Sequence, residues 1–81
     1  MEIANNIELL SQREKQIAVK IMEGKPNKLI AYDLYISERT VKFHCANIYR
    51  KLQINSRHAL IAQYYREIIQ LESEIDQTGS S

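Results

Sequence analysis

The stretch Ser37–Leu52, SERTVKFHCANIYRKL, decides how the rest of the chain reads. Val41, Cys45, Ile48 and Leu52 recur at spacings of four, three and four, which puts them on one apolar stripe of a helix. Between them stand Arg39, Lys42, Phe43, His44, Ala46, Asn47, Arg50 and Lys51. That outer face carries four formal positive charges, and Glu38 in the first turn is its one acid. Ser37 is placed to cap the free amides at the start, and Glu38 suits the positive end of the helix dipole. The inner stripe docks the helix on a core. The outer face is left for a partner rich in negative charge, and a DNA groove fits it.

The chain has 81 residues, enough for one domain with a modest core, whose thin stability a partner subunit would reinforce. It has two glycines and one proline, no Asn-Gly or Asp-Gly hairpin signal, and apolar residues spaced by three and four without strict alternation. The expected class is all-α. Net charge is only +1, but its distribution is uneven. Residues 1–10 hold two acids and no base; residues 11–57 hold ten bases and four acids, a balance of +6; residues 58–81 hold one base and four acids, a balance of −3. A basic middle therefore lies between acidic ends.

The single cysteine, Cys45, cannot form an internal disulfide, sits on the apolar stripe and suits a reducing, cytoplasmic setting. With His44 and His58 it makes no metal set, because His44 and Cys45 are adjacent on a helix and point about 100° apart. No apolar run of about 18 residues predicts a membrane span, and the N-terminus lacks the pattern of a signal peptide. There is no Ser-His-acid set, glycine-rich phosphate loop or carboxylate cluster. An enzyme is not expected, nor a cofactor, metal or small-molecule ligand.

Outward from the central stretch, residues 1–10 read as a short arm whose Ile3, Ile7 and Leu10 share a helical face. The first helix is expected over about 12–23, with Ser11 and Glu14 forming a capping box and Gly24 ending it. Its buried stripe is Ile17, Ala18, Ile21 and Met22. The second helix is expected over 27–35, with Ile30, Ala31 and Leu34 inward and Leu29 and Tyr32 at the core's edge. Lys28 falls in its first turn, where free amides and its own charge favour a phosphate. A short link leads to the third helix, 38–52. Two short helices joined this way, the second with a basic outer face, have the helix-turn-helix layout, so residues 11–57 form the expected core.

Ser56 caps a fourth helix expected over 57–76, and 77–81 read as a disordered tail. In that helix Ile61, Tyr64, Ile68, Leu71 and Ile75 repeat at three, four, three and four, the seam of a coiled coil. A helix of about 20 residues is about 30 Å long and would overshoot so small a core. The seam is therefore assigned to a homodimer interface, the alternative being a stripe that packs on the same chain.

Leu10 to Ile61 resembles the LuxR-type (NarL/FixJ, GerE-like) helix-turn-helix DNA-binding domain of bacterial transcription regulators. Leu10, Ser11, Arg13 and Glu14 match its opening motif. Gly24, Asn27, Lys28, Ile30 and Ala31 match the next, and Ile36, Ser37, Thr40, Val41, Lys42 and His44 the third. Asn47, Ile48, Lys51, Leu52 and Arg57 complete the pattern. Pro26 stands where serine or threonine is usual, Leu29 replaces a frequent glutamate and Gln53 a common glycine. The resemblance implies a four-helix domain whose third helix enters the major groove of double-stranded DNA and whose fourth helix dimerises. With no receiver or ligand-binding domain before the motif, it implies a free-standing member or an excised C-terminal domain.

On that basis Lys42, Phe43, Ala46 and Asn47 are expected to meet base edges: lysine reaches guanine acceptors, asparagine pairs with adenine, and an apolar group touches a thymine methyl. Asn27, Lys28, Thr40, Arg50, Lys51 and Arg57 are expected to hold phosphates, which position a protein on DNA without reading sequence. The alternative is a protein-interaction module whose basic face meets another regulator or RNA polymerase, a partner that family members also touch.

Overall fold

The computed structural model of the chain describes residues 6–79, with side chains through residue 73. Ile3 and Ile75 fall outside these limits, as do residues 80–81 of the expected tail. A 3-10 turn at Asn6–Leu9 leads into four helices: α1 (Gln12–Met22), α2 (Asn27–Leu34), α3 (Glu38–Leu52) and α4 (Arg57–Gly79). There is no strand among the described residues, so the all-α, four-helix fold stands.

Each helix start is set by local chemistry. At α1 the Glu14 amide donates to Ser11 Oγ (3.1 Å) and the Ser11 amide donates back to Glu14 Oε1 (2.8 Å), the reciprocal capping box. At α2 Pro26 offers no side-chain cap, but its carbonyl accepts from both Leu29 and Ile30 at 3.0 Å. At α3 Ser37 Oγ accepts from the Thr40 amide at 3.0 Å. At α4 Ser56 Oγ accepts from the Ala59 amide, also at 3.0 Å.

The helix ends are set by residues in the left-handed region. Gly24 closes α1 at φ +87°, its amide donating to Ile21 O (2.9 Å). Tyr35 closes α2 at φ 60° and Gln53 closes α3 at φ 59°, where glycine would be unstrained. In both, the next amide reaches back five residues: Ile36 to Ala31 O (3.0 Å) and Ile54 to Tyr49 O (2.9 Å). These caps end α1 at Met22 and α2 at Leu34, each one residue short of the expected limit.

The core lies around α1, which packs against α2, α3 and α4, while α2 packs on α3. Ile17, Ala18, Val19 and Ile21 of α1 are buried. Val19 thus joins the expected stripe, and Met22 is only half-buried. Val41, Cys45, Ile48 and Leu52 of α3 are all buried, as are Ile30 and Ala31 of α2. Ile7 and Leu10 close the core's other end, so the part of the N-terminal arm within the described residues is packed against the domain.

In helix α4 the stripe assigned to a dimer lies largely against the chain's own core. Ile68 is fully buried and Leu71 nearly so within a single chain, and Ile61 and Tyr64 pack half-buried against the same core. The physical reason is a bend. Tyr64 leaves helical geometry (φ −122°, ψ 16°), so α4 does not project as a straight rod beyond the domain, and it packs extensively on α1. From Ile61 to Leu71 the stripe that reads as a coiled-coil seam packs on this chain's own core. The face turned outward is Ala62, Tyr65 and Ile69. Helix α4 also continues through Gly79, past the expected end at 76, so residues 77–79 are helical and not part of a tail.

Candidate nucleic-acid interface

Helix α3 presents its outer face as expected. Lys42, Phe43, Ala46 and Arg50 are exposed, and Asn47 is half-buried at the margin. Phe43 is 62% exposed although large and apolar. Its ring stands edge-on to His44 at 5.7 Å between centroids, 63° between planes. An aromatic left exposed next to Lys42, one turn after Arg39, has no core-packing explanation, because Val41 and Cys45 already supply the inward groups. Arg39 is exposed one turn before Lys42 and Phe43. Sequence reasoning put it on the outer face without giving it a contact, although its spacing of three from Lys42 and seven from Ala46 carried that signal.

The residues expected at phosphates divide into two groups. Lys28 is exposed in the first turn of α2, where free amides and the helix dipole favour an anion. Arg50 is exposed on α3, and its Nη2 donates to Asn47 Oδ1 at 2.5 Å. Thr40 is half-buried, with its hydroxyl 3.0 Å from Ser37 Oγ in the helix cap.

Lys51, Arg57 and Asn27 are committed inward. Lys51 Nζ donates to Glu14 Oε1 at 2.8 Å, and the Glu14 side chain is only 5% exposed. Arg57 Nη2 donates to the carbonyl of Lys25 and so ties the start of α4 to the α1–α2 turn. Asn27 Oδ1 is buried without a partner, as is His44 Nδ1. The sequence carries no local signal for the Lys51 and Arg57 ties, since their partners lie 37 and 32 residues away.

Electrostatics follow this division. Burial pushes the Glu14 carboxyl up, but hydrogen bonds from Lys51 and Ser11 and the Lys51 charge outweigh it, leaving the group below its ordinary value. Burial pushes the Cys45 thiol up, against a hydrogen bond with Tyr49 and the Arg57 charge. A buried thiol held neutral is a core group and not a nucleophile. Asp33 is held below its ordinary value by the Lys25 hydrogen bond (2.8 Å), with Lys20 at 3.5 Å also pairing with it. These pairs neutralise Lys20 and Lys25 on the α1–α2 side, while Arg39, Lys42 and Arg50 on α3 and Lys28 on α2 stay exposed. Among the described residues no group of three or more His, Cys, Asp or Glu could hold a metal, and no helix is long and apolar enough to cross a membrane.

A short helix, a three-residue turn (Tyr35–Ser37) and a second helix with a cationic outer face define a helix-turn-helix domain. Residues 8–63 match the family GerE, bacterial regulatory proteins of the luxR family. The chain belongs to that family. It is 43% identical over 60 residues to the transcriptional regulatory protein FixJ of Rhizobium meliloti (strain 1021), covering 74% of this chain and 29% of that protein. It is 40% identical over 63 residues to a nitrate/nitrite response regulator protein homolog of Haemophilus influenzae, covering 78% and 30%. It is 43% identical over 60 residues to the response regulator protein TodT of Pseudomonas putida, covering 74% and 26%. The chain thus spans less than a third of each of these relatives.

Proposed function

We propose that this chain is a sequence-specific transcription regulator that lays α3 in the major groove of double-stranded DNA. The observation that carries the reading is the exposed row Arg39, Lys42, Phe43, Ala46 and Arg50 on a helix whose opposite stripe is buried. Lys42, Phe43, Ala46 and Asn47 meet base edges. Lys28 and Thr40 hold phosphates from the starts of α2 and α3, and Arg50 reaches the backbone from further along α3. Such a regulator works in the cytoplasm.

The chain binds as a homodimer through the outer face of α4, built on Ala62, Tyr65 and Ile69 with half-buried Ile61 beside them. Tyr65 is 57% and Ile69 is 38% exposed, large apolar groups on a helix face that its own core leaves uncovered. Lys51 and Arg57 support the fold and leave phosphate contact to the exposed cations.

A second reading, a surface for another regulator or RNA polymerase, is favoured by α2. Leu29 (47% exposed) and Tyr32 (78%) lie one turn apart, and Tyr35 (94%) follows at the cap. Three uncovered apolar side chains on α2 and its cap suit a protein partner alongside DNA.

The test is selection from random oligonucleotides with the purified chain at defined salt. A palindrome with half-sites about one helical turn apart supports both groove and dimer. Recovery without any preferred sequence at every salt concentration overturns the reading.

A further inference from the structure

We propose that Arg50 sets the base preference of Asn47, turning that position from an adenine reader into a guanine reader. This rests on the major-groove reading above. A guanidinium has donors and no acceptor, so the Asn47 atom facing Arg50 Nη2 at 2.5 Å is its oxygen. The amide nitrogen of Asn47 is then directed away from Arg50.

Reading adenine takes both ends of the amide: the oxygen accepts from N6 and the nitrogen donates to N7. With its oxygen held by Arg50, Asn47 presents mainly donors. The remaining guanidinium N–H groups stand beside it and are donors too. A composite of two donor groups matches the paired O6 and N7 acceptors of guanine and opposes the N6 amino group of adenine. The two residues are three apart on α3, one exposed and one at the margin of the outer face, so the pair forms within one helix and needs no partner to assemble it.

Arg50 acts here as a positioning residue, and its test separates positioning from simple phosphate attraction. Random-oligonucleotide selection is run on the full chain, on Arg50→Met, on Asn47→Ala and on the double variant, with helicity checked by circular dichroism. The wild-type chain is expected to enrich guanine at one position of each half-site. Arg50→Met is expected to move that same position toward adenine, changing the guanine-to-adenine ratio by about tenfold or more. Asn47→Ala removes the preference there, and Arg50→Met adds no further change on top of it.

If Arg50→Met weakens binding to all sequences alike and keeps the wild-type preference, Arg50 is a phosphate anchor only and the proposal fails. It fails equally if Asn47→Ala leaves the preference intact. A wild-type chain that selects no sequence overturns the DNA-reading function itself, an outcome distinct from either of these.

Discussion

Lys51 Nζ lies 2.8 Å from Glu14 Oε1 and joins the end of α3 to the first turn of α1 across 37 residues of chain. The same carboxylate accepts from the Ser11 amide. One buried acid therefore completes a helix cap and anchors the end of α3. Lys51→Met should destabilise the fold by about 1–2 kcal/mol, because it strands a nearly buried charge whose partner is partly solvated. Urea denaturation measures this. Per folded molecule, the salt dependence of DNA binding should stay as in wild type, whereas Lys28→Ala should reduce the salt slope by about 1.

The same pair predicts a pH dependence. The Glu14 carboxyl is lowered in the folded state below its ordinary value of 4.5. A depressed acid contributes stability that is fully present above the unfolded value and is lost as pH falls through the folded one. Unfolding midpoints should therefore decline as pH drops below about 4.5. In Lys51→Met the largest lowering influence is gone and burial is opposed only by Ser11, so this part of the decline should shrink.

Two substitutions on α4 should have opposite outcomes. Ile68→Asp buries an unpaired carboxylate in the core and should unfold the domain, seen as lost helicity. Ile69→Asp, one residue on, falls on the outer face and should leave the domain folded while sedimentation shows a monomer. A folded dimer carrying Ile69→Asp would remove the proposed interface.

The left-handed caps offer a gain. Gln53→Gly relieves a side chain at φ 59°, and the chain-entropy cost of glycine offsets part of the benefit. The net effect should be a stabilisation of about 0.5–1 kcal/mol, a rise of a few degrees in thermal midpoint.

Lys42→Ala should lower affinity for the selected operator and relax preference at one base pair, by about 1–3 kcal/mol of discrimination. Competition binding against single-base operator variants measures this. Uniform loss across variants would place Lys42 at a phosphate.

What was legible in the sequence was local. Ser11 with Glu14, Ser37, Ser56 and Gly24 act within a few residues of where they stand, so the helix starts and the first stop followed from them. The inward stripe of α3 followed from spacing alone. The ends at Tyr35 and Gln53 were less legible, because neither residue type favours the left-handed region. The ties of Lys51 and Arg57 join distant parts of the chain, and a cation on a solvent-facing face reads the same whether an acid or a phosphate awaits it. In α4 the periodicity of Ile61, Tyr64, Ile68 and Leu71 identified an apolar stripe but not whose surface it meets. The bend at Tyr64 decided that, and no proline or glycine announces it.

That bend has a mechanical side. Where α4 departs from helical geometry, the Tyr64 hydroxyl donates to the carbonyl of Leu52, the last residue of α3, at 3.3 Å. On the proposed function, the joint is a fulcrum between the helix assigned to DNA and the helix assigned to a second subunit. In a dimer built on the outer face of α4, a tilt of one subunit against the other is geared directly into the pitch of its α3. Such a pair is expected to grip one half-site separation and to bind operators with a base pair inserted or removed more weakly.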